Sequence, residues 1–242
     1  MANQNIPCKR VGFLFQLTQM KKPSTKSLEI RKAKLEERLK KYELDNIITD
    51  IASFDETQYN YVDPIEAGER VFILLAIAFT AYNFDQTEKV MDWLKKEELW
   101  KSVSEKEKEF FRNPDPSDEE KQLLSFRFEG AFILAWSLDK VRSAPQPESE
   151  CNEEQVNEFL KQVPAIGSAT DDFFAGLRYR SLPEVLDETC FYENATAYFK
   201  NIVTEDKENT SPVHSRASFE RHLALNWLRK GGDKSYWDTP VQ

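Results

Sequence analysis

Seven glycines in 242 residues set the strongest limit on what this chain can fold into. Phosphate-cradling loops, tight hairpins and close helix–sheet crossings all draw on glycine. An ordinary globular chain carries about 7%, more than twice the share found here. The scarcity points to helices joined by polar turns, and eleven prolines are available to punctuate them. A chain of this length buries roughly 70–75% of its unfolded surface, so it needs neither disulfides nor a metal to fold.

Helix-start signals recur along the sequence. Asp63-Pro64-Ile65-Glu66 places Asp at the N-cap, Pro at the first helical position and Glu two residues on. Ser104 with Glu107, Ser117 with Glu120, Asn152 with Gln155 and Ser181 with Glu184 repeat the spacing of a capping box. Between these starts the apolar residues recur at helical intervals. Leu28, Leu35, Leu39 and Tyr42 form a stripe within residues 26–43. Trp93, Leu94, Leu99 and Trp100 mark a second amphipathic segment near 86–100. Segments 64–82 and 121–141 are apolar on nearly all sides and are expected to be central, buried helices. Helices are also expected near 152–162, 169–179, 183–202 and 216–230. Residues 11–18 alone read as a strand, or as an irregular lead-in. Loops are marked at 113–116, 143–147 and 205–212, the last two as mobile surface loops. The expectation is an all-α fold of about eight or nine helices: one domain over 25–242, preceded by a basic lead-in over 1–24.

Composition narrows the classes of function. Cys8, Cys151 and Cys190 are odd in number and far apart, which excludes a disulfide scaffold or zinc knuckle. Two histidines, His214 and His222, exclude a histidine-rich metal site. No metal or cofactor is expected. The longest apolar run, residues 71–82, is shorter than the roughly 20 residues that cross a bilayer, and no signal peptide is read near the start. A cytoplasmic setting and no membrane association follow as expectations. The net charge of −9 is unevenly spread: residues 1–42 carry +8 and the remainder −17. A basic segment can serve as a nucleic-acid arm. An acidic body repels a polyanion, so the favoured reading is a basic helix docked on its own chain, with no nucleic-acid partner.

The unusual positions are charges on otherwise buried helices. In the segment from Ser125 to Ala131, Arg127 aligns with Ala131 and Leu134, and Glu129 with Phe132, Ile133 and Trp136. Near the end, Glu220 aligns with Leu223, Ala224 and Trp227, and Arg221 with Leu225 and Leu228. His222 and Asn226 share a third face. Glu66 and Arg70 form a milder case. Buried charges are costly unless paired. Arg127, Glu129, Glu220 and Arg221 are therefore expected to find one another or to line a wet cleft, with His222 and Asn226 as further members. Such a cluster either fixes how two helices meet or forms a pocket for an anion or acid–base work. Secondary candidates are Arg178 and Arg180, as an anion clamp or a basic helix end, and Trp237 with Asp238, as a docking motif or a pinned terminus. Asp171-Asp172 reads as a helix start. No nucleophile elbow, Walker loop, dinucleotide fingerprint or zincin motif is present.

The same residues carry a family resemblance. Ser125-Phe126-Arg127-Phe128-Glu129-Gly130-Ala131, running into Leu134-Ala135-Trp136-Ser137-Leu138, resembles the central motif of the bacterial domain of unknown function 4272. Glu220-Arg221-His222-Leu223-Ala224-Leu225-Asn226-Trp227-Leu228, followed by Trp237-Asp238-Thr239, resembles its closing motif. Arg31-Lys32 with Leu35, and Leu99-Trp100 with Ser104 and Glu107, resemble earlier blocks, so the likeness spans roughly residues 28–240. Phe128, Gly130 and Pro240 depart from the family pattern. The resemblance implies a mainly helical bacterial protein and supplies no activity or ligand. Charge and composition, with five Trp and seventeen Phe, point to an accessory, immunity-like interaction protein with a protein partner and no catalysis. The alternative is an enzyme or small-anion binder built on the Arg/Glu/His/Asn cluster.

Overall fold

The computed structural model describes residues 21–44, 50–229 and 236–239. Its helices are α1 (Thr25–Lys41), α2 (Pro64–Tyr82), α3 (Thr87–Lys96), α4 (Glu105–Arg112), α5 (Asp118–Ser125), α6 (Arg127–Ser137), α7 (Glu153–Gln162), α8 (Leu182–Thr204) and α9 (Ser215–Arg229). No strand occurs among the described residues. Residues 11–18 lie outside them.

Local signals set most boundaries. Asp63 accepts a hydrogen bond from the Ile65 amide at 2.8 Å, and Pro64 opens α2. Both partners of the capping box are in place at Ser104/Glu107 and at Asn152/Gln155. Ser117 also caps α5, through the Glu120 amide. Ser181, in contrast, makes no capping bond. Pro183 at the second helical position has already removed one of the amides that a cap would satisfy.

Two expected helices differ. The apolar run 121–141 is two helices, α5 and α6, which part at Phe126. The Ser125 hydroxyl bonds back to the Gln122 carbonyl at 2.8 Å, a contact that loosens the main-chain ladder and bends helices. The second, 169–179, shrinks to one turn, Asp171–Phe174. Ala175 is extended and Gly176 sits at φ +65°, a conformation that favours glycine and ends the helix.

The main helices stack in the spatial order α1–α8–α9–α6–α2, with α3, α4 and α5 around the outer side of α2. The middle members are buried all round: Ile73, Leu74 and Ile77 on α2, Phe132 to Ala135 on α6, and Ala224, Leu225 and Leu228 on α9 are sealed from solvent. Each such large apolar side chain contributes about 1.5–3 kcal/mol of burial. Aromatic contacts join the outer parts. Phe72 of α2 meets Phe173 at 4.8 Å and Trp93 at 6.0 Å between ring centroids. No described helix is long and apolar enough to cross a membrane.

The basic helix α1 is bound to the body by its arginines. Arg31 donates to Asp187 at 2.7 Å, to Glu56 at 2.8 Å and to the carbonyls of Phe54 and Pro183 at 2.7 and 3.0 Å. Arg38 grips Glu188 through two hydrogen bonds of 2.6 and 3.0 Å and lies 3.8 Å from the centre of the Phe191 ring.

Candidate functional site

Helix α9 is unusual for a central helix. It buries Glu220, Arg221, His222, Asn226 and Arg229, and each reaches a different neighbour. The two charges on α6 and the two on α9 pair crosswise. Arg127 donates to Glu220 at 2.5 Å. Arg221 donates to Glu129 through Nε and Nη2, at 2.9 and 2.6 Å.

The Arg221–Glu129 side is closed. Arg221 is fully buried, and its remaining N–H groups reach the carbonyls of Gln146 and Ser149, both at 2.8 Å, and the Tyr192 hydroxyl at 3.1 Å. All five donors of the guanidinium thus have acceptors. Glu129 also accepts from the Cys151 amide at 2.8 Å and thiol at 3.3 Å. Burial opposes the Arg221 charge, but Tyr192, Glu129 and Cys151 outweigh it and hold the group above its ordinary pKa. Burial, with the Glu129 charge beside it, pushes the Cys151 thiol well up. One correction follows: the 143–147 segment, expected to be mobile, is tied to the core through the Gln146 carbonyl, and Pro145 and Pro147 are buried.

The Arg127–Glu220 side is built differently. Glu220 is fully buried and accepts a second guanidinium, Arg216 of the same helix, at 2.9 Å. Arg127 stacks 4.2 Å from the centre of the Trp237 ring and 5.4 Å from that of Tyr236. Arg70 of α2 also lies 5.5 Å from the Tyr236 ring and donates to Glu107 at 2.7 Å. That pairing replaces the i,i+4 contact with Glu66 suggested by spacing. The tail is therefore held between arginines of α2 and α6, and Asp238 adds an exposed pair with Lys106 at 3.1 Å. Burial raises the Tyr236 hydroxyl far above the ordinary range.

Of the six-residue cluster read from the sequence, Arg127, Glu129, Glu220 and Arg221 are joined by the crossed pairs, and the other two have partners elsewhere. His222 meets the Thr196 hydroxyl of α8 at 3.0 Å. Asn226 accepts from Arg229 at 3.0 Å, and Arg229 reaches Glu193 at 2.7 Å. His222 thus meets α8, and Asn226 is bonded within α9 to the arginine that reaches α8, since 3.6 residues per turn carries these positions round from Glu220 and Arg221.

Among the secondary candidates, Arg180 holds a helix end, though not its own. It donates to the carbonyls of Trp136 and Val141 at 2.7 and 3.0 Å, where α6 terminates, and stacks 4.3 Å from the Trp136 ring centre. Arg178 is exposed and 3.7 Å from Asp139. Asp171 and Asp172 open the short helical turn.

Sequence reasoning missed Glu107, Asp187 and Glu188 as partners of buried arginines, since nothing local marks a contact across 150 residues. Arg216 was legible in principle, four residues before Glu220. Among the described residues no group of three or more His, Cys, Asp or Glu side chains is arranged to hold a metal.

A surface groove of about 1010 Å³ runs between the Arg142-Ser143 loop and α7. Asn152, Glu153, Glu154, Asn157 and Glu158 line it, with Lys161 at one end.

The fold and the crossed ion pairs define a helical protein organised around a buried polar spine. Over residues 31–240 the chain matches the family described as Domain of unknown function (DUF4272), and it belongs to that family. No curated protein and no solved structure matches it.

Proposed function

We propose that the protein is a cytoplasmic bacterial interaction protein without catalytic activity, and that its α7 groove takes a basic segment of a protein partner. The groove carries the reading. It is open and polar, with three carboxylates and two amides on its wall against two cations, Arg142 and Lys161, at its margins, whereas small-molecule sites are enclosed and mostly apolar. The charge distribution supports it. Arg31 and Arg38 are spent on Glu56, Asp187 and Glu188, which removes part of the basic excess of α1 from the surface, and the α7 groove itself carries one more carboxylate than cation. Complementary charge of this kind steers association and rejects like-charged partners. The thiols fit a role without nucleophilic chemistry: burial pushes Cys190 up to about 12, and Cys151 also titrates high. Free Cys151 and Cys190 suit a reducing compartment.

The test is the affinity for a lysine-rich peptide, followed by fluorescence anisotropy over a salt series. Binding is expected to weaken steeply with salt and to be abolished by Glu153→Lys with Glu154→Lys. Reversal of Asp115 and Glu119, which are exposed and do not line the groove, is expected to leave most of it. Equal loss from both pairs of reversals, or binding indifferent to salt, overturns the reading.

A further inference from the structure

Among the described residues the buried arginines pair with carboxylates, most of them one to one, while Arg31 meets two, Glu56 and Asp187. Arg221 meets Glu129, Arg70 meets Glu107, Arg229 meets Glu193 and Arg38 meets Glu188. Among the described residues Glu220 is the one fully buried carboxylate that holds two guanidiniums, those of Arg127 and Arg216, whereas Asp139, which also lies near two, is half exposed. That corner carries one surplus positive charge. Around it lie three buried N–H donors without an acceptor: Arg127 Nε, Arg216 Nε and Trp237 Nε1. Orphaned donors are rare in folded proteins and cost about 1–3 kcal/mol each. Three on contiguous side chains, beside an excess of cation, are what a negatively charged acceptor would satisfy.

We propose that Arg127, Arg216 and Trp237 form a binding site for a small oxyanion, a carboxylate or phosphate group. The site is separate from the α7 groove and does not depend on its occupancy. The side chain of Arg127 is 6% exposed, so its charge has little water of its own, while that of Arg216 is 34% exposed and opens the corner to solvent. Phe126 and Phe219 flank Arg216 at 5.8 and 5.5 Å from their ring centres. The oxyanion therefore approaches along an aromatic wall and meets the guanidiniums where solvent screens them least. Trp237 is the cover. It belongs to a short helical turn, Tyr236–Asp238, in which Asp238 makes an exposed pair with Lys106, both side chains more than half exposed. Exposed pairs of this kind are weak. A slide of the indole along the Arg127 face uncovers the donors while keeping the ring stacked on the guanidinium. Glu220 stays as the fixed counter-charge that keeps both arginines in place. The Arg70–Glu107 pair beyond Tyr236 is neutral, although Arg70 Nε also lacks an acceptor.

The experiment uses the full chain with inorganic phosphate and, separately, acetate, against chloride at constant ionic strength. The indole N–H resonances of the five Trp are followed by NMR, and Trp237 is assigned by its loss in Trp237→Phe. A saturable shift confined to the Trp237 resonance is expected, together with a rise in melting temperature above the chloride control. Arg216→Gln is expected to weaken binding about tenfold or more, the value of one charge-assisted hydrogen bond. Its side chain is partly exposed, and the melt of the unliganded variant separates lost binding from a lost fold. Saturation by phosphate but not acetate assigns a phosphate group, and the reverse assigns a carboxylate. A Trp237 resonance that follows chloride as it follows both anions, or binding unchanged in Arg216→Gln, overturns the proposal.

Discussion

Gly130 lies on α6 where the tail crosses it. A methyl group built there would stand 2.7 Å from the Tyr236 hydroxyl oxygen, 3.2 Å from Leu74 Cδ1 and 3.6 Å from Ala224 Cβ. Replacing glycine by alanine inside a helix ordinarily gains about 1 kcal/mol. Here the gain is opposed by overpacking, which costs about 1–3 kcal/mol. The Tyr236 ring cannot swing away cheaply, since Arg70, Arg127 and Trp227 surround it at 5.5, 5.4 and 6.0 Å. Gly130→Ala is therefore expected to destabilise by up to about 2 kcal/mol, or to lower the melting temperature by up to about 8 °C in a chain of this size. Tyr236→Phe removes the obstructing oxygen. That hydroxyl is buried without a partner, so its loss alone is expected to be neutral or stabilising. In the Tyr236→Phe background the nearest obstacle becomes a leucine methyl, and the same Gly130→Ala change is expected to be neutral or favourable. The coupling across the cycle is then about 2 kcal/mol, well above the roughly 0.5 kcal/mol within which independent sites add. Urea denaturation of the four proteins measures it. An alanine that stabilises the parent, or that costs the same in both backgrounds, refutes the reasoning.

Arg221→Met is expected to lose about 3–5 kcal/mol, because it leaves Glu129 charged and dry; adding Glu129→Gln recovers part of the loss, and a double variant no better than the single one in urea melts counts against this account. Burial works to raise the Asp55 carboxyl, but hydrogen bonds from the Thr57 hydroxyl and amide and from Gln58 outweigh it and hold the group below 3.8. A depressed carboxyl contributes stability above its unfolded value and loses it as pH falls through the folded one. Asp55→Asn is thus expected to melt lower than the parent at neutral pH, with the gap closing as the pH falls below 3.8, and a gap independent of pH contradicts it. The Cys190 thiol, raised to about 12 and almost fully buried, is expected to resist iodoacetamide in the native state and to react only in denaturant, as mapped by mass spectrometry.

How much of this was legible in the sequence depended on the range of the interaction. α2 was readable because its signals are local: Asp63 and Pro64 at the start, and the long apolar stretch from Val71 that follows the charged first turns. The division of α5 from α6 was not, because it rests on one serine hydroxyl turning back on Gln122 inside a run that stays apolar. The charged residues Arg127, Glu129, Glu220 and Arg221 stood out since their helical neighbours are all core residues. Their mutual pairing followed from the cost of isolated buried charge. Which partner each would take did not, nor did the second cation on Glu220. Glu188 carried no signal, because on α8 it reads as an ordinary polar position. Its importance comes only from Arg38 arriving on another helix.

The crossed pairs act on register more than on net stability. A buried ion pair contributes little over a well-packed apolar pair of the same volume. Its distinctive effect is on alternatives. On α6 the cation precedes the anion by two positions, and on α9 the anion precedes the cation by one. The observed packing places unlike charges together on both sides of the contact. A shift that brought Arg127 to Arg221 and Glu129 to Glu220 would set like charges against each other in a dry interior, where they repel most strongly. The two sides then diverge. Around Arg221, the Gln146 and Ser149 carbonyls and the Tyr192 hydroxyl complete every bond, so that side can only hold. Around Glu220 the second guanidinium and the open indole N–H leave bonding capacity unspent. A helix contact that needed only to fix register would be satisfied by the first arrangement alone. The surplus on the second side is the feature that a purely structural role leaves unexplained.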